Sequence, residues 1–222
     1  MEQKFRHEYK QSIETADLAA LRQRLSALMQ PDSFSCGGKY EVRSLYFDNL
    51  FDKALIEKIN GVNYREKFRI RLYNGDTSFI RLEKKSKTGE LSSKQSAILT
   101  YEQADSLARG ASVRDSGSAL LDELALKMDT QRLKPKTIVD YTREAFVFPA
   151  GNVRVTLDYN IRTGLNAVDF LDNSCVTVPA SADIILEVKW NEFLPSFIAQ
   201  AVQLGSIQTS SFSKYAACRI YG

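Results

Sequence analysis

Charged residues, mostly Arg and Lys, recur at every second position in several β-like segments of the chain. In Lys67-Phe68-Arg69-Ile70-Arg71-Leu72, Lys67, Arg69 and Arg71 fall on one face of a strand and Phe68, Ile70 and Leu72 on the other. Ile80-Arg81-Leu82-Glu83-Lys84-Lys85 repeats the arrangement, with Arg81, Glu83 and Lys85 opposing Ile80 and Leu82. The same alternation returns in His7-Glu8-Tyr9-Lys10, in Val153-Arg154-Val155-Thr156-Leu157-Asp158 and in Ile185-Leu186-Glu187-Val188-Lys189. A face of guanidinium and ammonium groups repeated from strand to strand suits a polyanion, and linear polyphosphates and nucleoside triphosphates are the densest common ones. Arg matches non-bridging phosphate oxygens in a two-pronged fashion, whereas Lys acts as a compact point charge. Arg69, Arg71, Arg143 and Arg154 are therefore read as phosphate clamps.

Cations alone bind phosphate but organise its transfer poorly. A divalent ion bridging phosphate oxygens neutralises developing charge, and such hard ions prefer carboxylate ligands. Glu187, between Leu186 and Val188, is the first metal-ligand candidate and Glu8 the second. Glu83 is the carboxylate expected to pair with neighbouring arginines. Asp158 is expected to orient Arg154, and His7, which alternates away from Glu8, to be structural. The full set assigned to the charged face is Lys10, Lys67, Arg69, Arg71, Arg81, Lys85, Lys94, Arg143, Arg154, Lys189 and Lys214, with Glu8, Glu83, Asp158 and Glu187. Lys214 has to reach it from a C-terminal segment. Tyr46-Phe47-Asp48 reads as a strand end without a chemical assignment.

Positioning these side chains takes strands over roughly residues 3–11, 40–48, 64–73, 77–87, 90–99, 136–148, 152–162 and 183–190. Asn74-Gly75-Asp76 and Thr88-Gly89 are hairpin signals that make 64–99 an antiparallel meander, and Pro149-Ala150-Gly151-Asn152 closes another hairpin. Helical periodicity covers 15–30 up to Pro31, a short stretch at 50–60 before Gly61, 101–109 behind a Thr100/Gln103 capping box, 118–133, and a last segment from Pro195 to Leu204. These strands predict an α+β fold: a closed eight-stranded antiparallel barrel with a basic, wet lumen, its apolar outer face covered by amphipathic helices. With no linker or low-complexity stretch, residues 1–222 read as one domain.

Composition narrows the functional classes. The net charge of +3 is small, so distribution matters more than the sum. A single histidine, His7, leaves no Ser-His-Asp relay or histidine metal cluster. There is no P-loop and no Gly-x-Gly-x-x-Gly loop. Cys36, Cys175 and Cys218 lack metal-ligand spacing and read as reduced thiols of a cytoplasmic protein. No apolar run approaches the ~20 residues of a membrane span.

The motifs His7-Glu8-Tyr9-Lys10, Tyr46-Phe47-Asp48-Asn49, Phe68-Arg69-Ile70-Arg71, Glu83-Lys84-Lys85, Tyr141-Thr142-Arg143, Val153-Arg154-Val155-Thr156-Leu157-Asp158, Leu186-Glu187-Val188-Lys189 and Phe212-Ser213-Lys214-Tyr215 occur in this order. Together they make a chain that resembles the catalytic domain of the vacuolar transporter chaperone (VTC) polyphosphate polymerases, within the triphosphate tunnel metalloenzymes related to CYTH proteins. The resemblance implies a tunnel in which the γ-phosphate of ATP passes to a growing polyphosphate chain, releasing ADP. It carries the family's basic lumen positions, the expected catalytic set, onto Lys10, Arg69, Arg71, Lys85, Lys94, Arg143, Arg154 and Lys214; the strand alternation adds Lys67, Arg81 and Lys189 as further phosphate contacts. The family's metal glutamate maps onto Glu187, with Mn²⁺ or Mg²⁺ as the ion, and Glu8 stays the second candidate from the residues themselves. The expected partners are ATP and inorganic polyphosphate, not nucleic acid, with a separate membrane protein as a possible partner. The alternatives are a metal-dependent inorganic or organic triphosphatase, which a Glu-x-Glu-x-Lys motif in place of His7-Glu8-Tyr9-Lys10 would favour, and a non-catalytic polyphosphate-binding module.

Overall fold

The computed structural model describes residues 7–33, 35, 37–89, 91–114, 117–204 and 212–219. The expected strand starts at residues 3–6 and 90, and Cys36, lie outside the described residues. The strands are β1 (His7–Ile13), β2 (Gln30–Pro31), β3 (Lys39–Asp48), β4 (Tyr64–Tyr73), β5 (Asp76–Thr88), β6 (Leu91–Leu99), β7 (Lys134–Phe148), β8 (Val153–Gly164), β9 (Thr177–Ser181) and β10 (Ile184–Trp190). The helices are α1 (Thr15–Leu28), α2 (Lys53–Ile59), α3 (Tyr101–Ala108), α4 (Ala119–Thr130), α5 (Ser196–Ala201) and α6 (Lys214–Cys218). Every strand read from the sequence is present; β2, β9 and α6 are additional, and each is too short to show a period.

The hydrogen-bonded order is β1-β10-β8-β7-β3-β4-β5-β6, with β2 on β7 and β9 on β8. The β1–β10, β10–β8, β3–β4, β4–β5 and β5–β6 ladders are antiparallel. This order corrects the expected closed barrel. It has two ends, β1 and β6, and no pairing between them among the described residues. The sequence of β6 explains its place at an end. Its polar run Ser92-Ser93-Lys94-Gln95-Ser96 has no alternate apolar face to bury, and Ser and Lys are residues that edge strands tolerate.

Contact density divides the chain into two compact units, and β3, β7, β8 and β9 contribute residues to both. The first comprises residues 1–41, 141–161 and 181–213. Its core sets Val153, Val155 and Leu157 of β8 and Ile184, Leu186 and Val188 of β10 against Leu18, Leu21 and Leu25 of α1 and Ile198 of α5. A tight turn joins β7 to β8: Gly151 has φ +73°, and a Cβ there would stand 2.3 Å from the carbonyl oxygen of Phe193. Only glycine satisfies both conditions.

The second unit comprises residues 42–140, 162–180 and 214–222. Phe68, Ile70 and Leu72 of β4 and Ile80 and Leu82 of β5 pack with Leu45 and Phe47 of β3. Ala104 and Leu107 of α3 and Leu120, Leu121 and Leu124 of α4 complete this core. The meander forms as expected, with Asn74 and Gly75 both at positive φ as a primed hairpin turn requires. The Thr100/Gln103 capping box starts α3 through reciprocal backbone-to-side-chain bonds of 3.0 and 3.2 Å. In each unit the residues alternating with the core form the charged face.

Candidate functional site

On the first unit the ladder itself brings opposite charges together. Glu8 lies opposite Lys189, and Lys10 opposite Glu187. The Lys10 ammonium is 2.9 Å from both Glu8 Oε1 and Glu187 Oε1. Lys189 reaches Glu187 Oε2 at 2.7 Å and Glu8 Oε2 at 3.9 Å. Two carboxylates and two ammonium groups thus share one small region. Burial favours protonation of Glu187, but Lys10, Lys189 and Arg143 outweigh it and hold the carboxyl well below the ordinary range. Lys10 shows the converse: burial lowers its pKa, and Glu187 and Glu8 raise it above the normal lysine value.

Arg143 and Arg154 of this unit are also fixed. Arg143 grips Asp158 with two bonds of 2.6 and 2.7 Å. Arg154 donates to Asp32 at 2.6 Å and to the Tyr40 hydroxyl at 2.8 Å. Asp158 was expected to orient Arg154; it holds Arg143 instead, and Asp32 takes the Arg154 role. Arg154 and Asp158 stand four residues apart on one strand and project in parallel, whereas Arg143 approaches Asp158 from β7. His7 stacks on Trp190 with ring centroids 5.4 Å apart, as a structural residue would.

On the second unit the ladders place like charges together. Lys67 of β4 is opposite Lys85 of β5, which is opposite Lys94 of β6. Arg71 is opposite Arg81. The carboxylate Glu83 is set among them: Arg69 bonds it at 2.6–2.7 Å, Arg71 lies at 3.7 Å, and Lys94 closes on its other oxygen. Burial raises the Glu83 pKa, yet Arg69, Arg71 and Lys94 together drive it well below normal. Arg71 also donates to Ser44 Oγ at 2.9 Å, and Arg81 lies over the Phe79 ring at 4.4 Å.

Tyr46 completes this face and was not assigned from the sequence. Its hydroxyl accepts from Arg69 at 2.8 Å, and its ring lies under Lys67 and stacks on Tyr215 at 4.9 Å. Burial pushes the phenol up, but Arg69, Lys67 and Arg71 bring it down to about 7. Asp48 is an architectural hub: it accepts from the amide of Asn49, from the amides of Ala54 and Leu55 in the first turn of α2, and from Tyr215 Oη at 2.7 Å. That last bond anchors α6, and with it Lys214, to the end of β3. Ser44 and Tyr46 alternate with Asp48 along β3, and this was the available signal. It was masked because the end of β3, Ser44–Asp48, is buried on both faces, so that Ser44 and Tyr46 sit among core residues.

The VTC domain family matches the chain over residues 5–220. The chain belongs to that family. Comparison with curated proteins gives no match. Among solved structures, an adenylyl cyclase candidate from Hippeastrum, described as revealing a dominant triphosphatase activity, is similar at 14% identity and TM-score 0.59, covering 98% of this chain and 96% of that one. An adenylate cyclase candidate from Bacillus halodurans is similar at 13% identity and TM-score 0.51, over 84% and 80% of the two chains. A Pyrococcus horikoshii protein is similar at 11% identity and TM-score 0.50, over 96% and 97%. These likenesses are of fold: the VTC domain shares its architecture with these chains over most of their length.

The expected wet lumen needs correction for several of the VTC domain's charges. Arg71, Glu83, Asp158 and Glu187 are all buried, at 5%, 1%, 1% and 6% exposure. They are tolerated because each meets an opposite charge at hydrogen-bond or ion-pair distance, without which desolvation would cost several kcal/mol per ion. Lys94, by contrast, is half exposed. A divalent cation is compatible with Glu8 and Glu187, whose oxygens converge on shared ammonium groups. Among the described residues no group of three or more His, Cys, Asp or Glu side chains forms a metal cage. Two carboxylates completed by substrate phosphates is the arrangement Mg²⁺ commonly uses.

Proposed function

We propose that this VTC domain is a polyphosphate polymerase that transfers the γ-phosphate of ATP to a growing inorganic polyphosphate chain and releases ADP. The observation that carries the reading is the pair of like-charge rows on the meander, Lys67–Lys85–Lys94 and Arg71–Arg81. Like charges directly opposite one another destabilise a sheet. A polyphosphate laid along the rows removes that cost and adds charge-assisted hydrogen bonds.

In the reaction, a terminal phosphate oxygen of the chain attacks the γ-phosphorus. The bond from that phosphorus to the β–γ bridging oxygen breaks, and its electron pair leaves with ADP. The nucleophile is already anionic, so no base is required, and the lone histidine is stacked away on Trp190. Arg69 and Arg71 neutralise the equatorial oxygens, while Lys67, Arg81, Lys85 and Lys94 hold the chain in line. Lys10, Lys189, Arg143, Arg154 and Lys214 are assigned to the remaining phosphates. Glu187 and Glu8 would hold Mn²⁺ or Mg²⁺, which supplies Lewis-acid neutralisation when bound. In this reading residues 1–222 act as one domain, in the cytoplasm, with no nucleic-acid ligand. No helix among the described residues is long and apolar enough to cross a membrane; coupling to a membrane would fall to a separate protein.

The converging Glu8–Glu187 pair favours the alternative of a metal-dependent triphosphatase, since a carboxylate could take a proton from water. Incubation with ATP and Mn²⁺, resolving ADP, free phosphate and polyphosphate, separates the readings. ADP with a polyphosphate ladder and little free phosphate is the expected result. Free phosphate without a ladder makes the protein a hydrolase, and tight polyphosphate binding without turnover makes it a binding module.

A further inference from the structure

Thr156 lies on the charged face of β8, between Arg154 and Asp158, and directly opposite Glu187 in the β10–β8 ladder. Across β10, Glu187 is in turn opposite Lys10, so Lys10, Glu187 and Thr156 form one row. The Thr156 side chain is 2% exposed, and its hydroxyl is buried without a hydrogen-bond partner. A buried hydroxyl with nothing to bond is a net cost to the fold. Valine would fill the same volume, suits a strand equally well, and carries no such cost. The hydroxyl therefore calls for an account beyond packing. Its neighbour supplies one: both Glu187 oxygens are held by Lys10 and Lys189, the two groups that phosphate would draw away.

We propose that Thr156 is a positioning residue for Glu187, its hydroxyl donating to the carboxylate once Lys10 and Lys189 turn to phosphate and the carboxylate turns to a divalent cation. Opposed side chains on neighbouring strands have Cβ atoms about 4.5–5.5 Å apart, so a rotation of the hydroxyl or of χ1 suffices to make the bond. It then fixes which carboxylate oxygen faces the ion, the part that outer-shell donors play around metal ligands. Without it, Glu187 would exchange two lysine partners for one ion and lose its orientation. The inference rests on the reading of Glu187 as the cation-holding carboxylate.

The test compares Thr156→Val, Thr156→Ser and Glu187→Gln for Mn²⁺ affinity in the presence of inorganic tripolyphosphate, by titration calorimetry or the Mn²⁺ paramagnetic resonance signal, alongside ligand-free melting temperature. Thr156→Val is expected to melt at or above the parent temperature while binding Mn²⁺ roughly 10- to 100-fold more weakly, with Thr156→Ser restoring affinity. Unchanged Mn²⁺ affinity in Thr156→Val, with Glu187→Gln weakened, overturns the Thr156 role alone. A ligand-free melting temperature that falls in Thr156→Val overturns it too, since the hydroxyl then serves the fold. Unchanged affinity in Glu187→Gln overturns the assignment of Glu187 and the inference with it.

Discussion

The charged faces of the two units are built from the same residue types by opposite rules. On β1 and β10, register sets Glu8 against Lys189 and Lys10 against Glu187, and Asp158 and Asp32 take Arg143 and Arg154. That face largely neutralises itself. On β4, β5 and β6, register sets Lys67, Lys85 and Lys94 in a row and Arg71 against Arg81, with Glu83 as the carboxylate common to Arg69, Arg71 and Lys94. The first arrangement suits exchange, in which a divalent ion displaces ammonium groups from carboxylates that are already ionised. The second suits capture, because its internal repulsion falls when a polyanion arrives. In the proposed reading the same alternation of charged and apolar residues serves two roles, and pairing across strands decides between them.

The sharpest way to break this comparison is to damage each face separately. Arg69→Ala should lower turnover and tripolyphosphate affinity on the order of 10²-fold, the usual cost of removing one pre-organised donor to a transition state, while the dependence on Mn²⁺ concentration keeps its midpoint. Glu187→Gln should do the reverse, shifting the Mn²⁺ midpoint on the order of 10²-fold with polyphosphate binding in metal-free buffer retained. Filter binding of labelled polyphosphate and Mn²⁺-dependent activity give the two readouts. If either substitution moves both quantities together, the division of labour is wrong.

What the sequence revealed, and what it concealed, follows the same line. Alternation exposed Lys67, Arg69, Arg71, Arg81, Glu83 and Lys85 because side-chain period is local and charges are conspicuous. Register is not local. Nothing in Val153-Arg154-Val155-Thr156-Leu157-Asp158 shows that Asp158 serves Arg143 on another strand, or that Arg154 finds Asp32, more than a hundred residues away. Tyr46 and Ser44 escaped because uncharged lining on a doubly buried strand resembles core. The expectation of a closed barrel rested on strand count, whereas β6, whose polar run alternates weakly, ends the hydrogen-bonded order of the described strands. Asp48 needed the tertiary structure: its partners include α2 amides and Tyr215 from the far end of the chain.

Glu83 tests the capture face from within. Glu83→Gln removes the anion that Arg69, Arg71 and Lys94 share, while keeping shape and a hydrogen-bond acceptor. The expected loss of stability is about 2 kcal/mol, below the roughly 3–5 kcal/mol of a fully buried pair because Lys94 and part of Arg69 reach solvent. Tripolyphosphate should raise the melting temperature of the variant more than that of the parent, since the ligand replaces the missing charge. Because the Glu83 pKa is depressed, its contribution is present above the unfolded glutamate value of about 4.3 and is lost as pH falls through the lower folded value. The parent–variant difference should therefore narrow in acid. A variant that gains no more from tripolyphosphate than the parent would place the ligand elsewhere.

At neutral pH the smallest effect on stability is expected at Tyr46, and its pH dependence is the most specific to this face. Arg69, Lys67 and Arg71 bring the Tyr46 phenol down to about 7, against about 10 in the unfolded chain. A depressed folded pKa means that stability from this group is fully present above pH 10, declines between 10 and 7, and is absent below 7. The stability of the parent relative to Tyr46→Phe should accordingly rise as pH increases from 7 to 10, as the phenolate takes up the cations. An ultraviolet titration should show one tyrosinate forming near neutrality in the parent and not in Tyr46→Phe. Polyphosphate competes for the same guanidinium and ammonium groups, so its binding should push that titration back toward the ordinary tyrosine value and take up a proton near pH 8. If the neutral-pH tyrosinate persists unchanged under saturating tripolyphosphate, the ligand leaves Arg69 and Lys67 untouched, and the capture face is not where it binds.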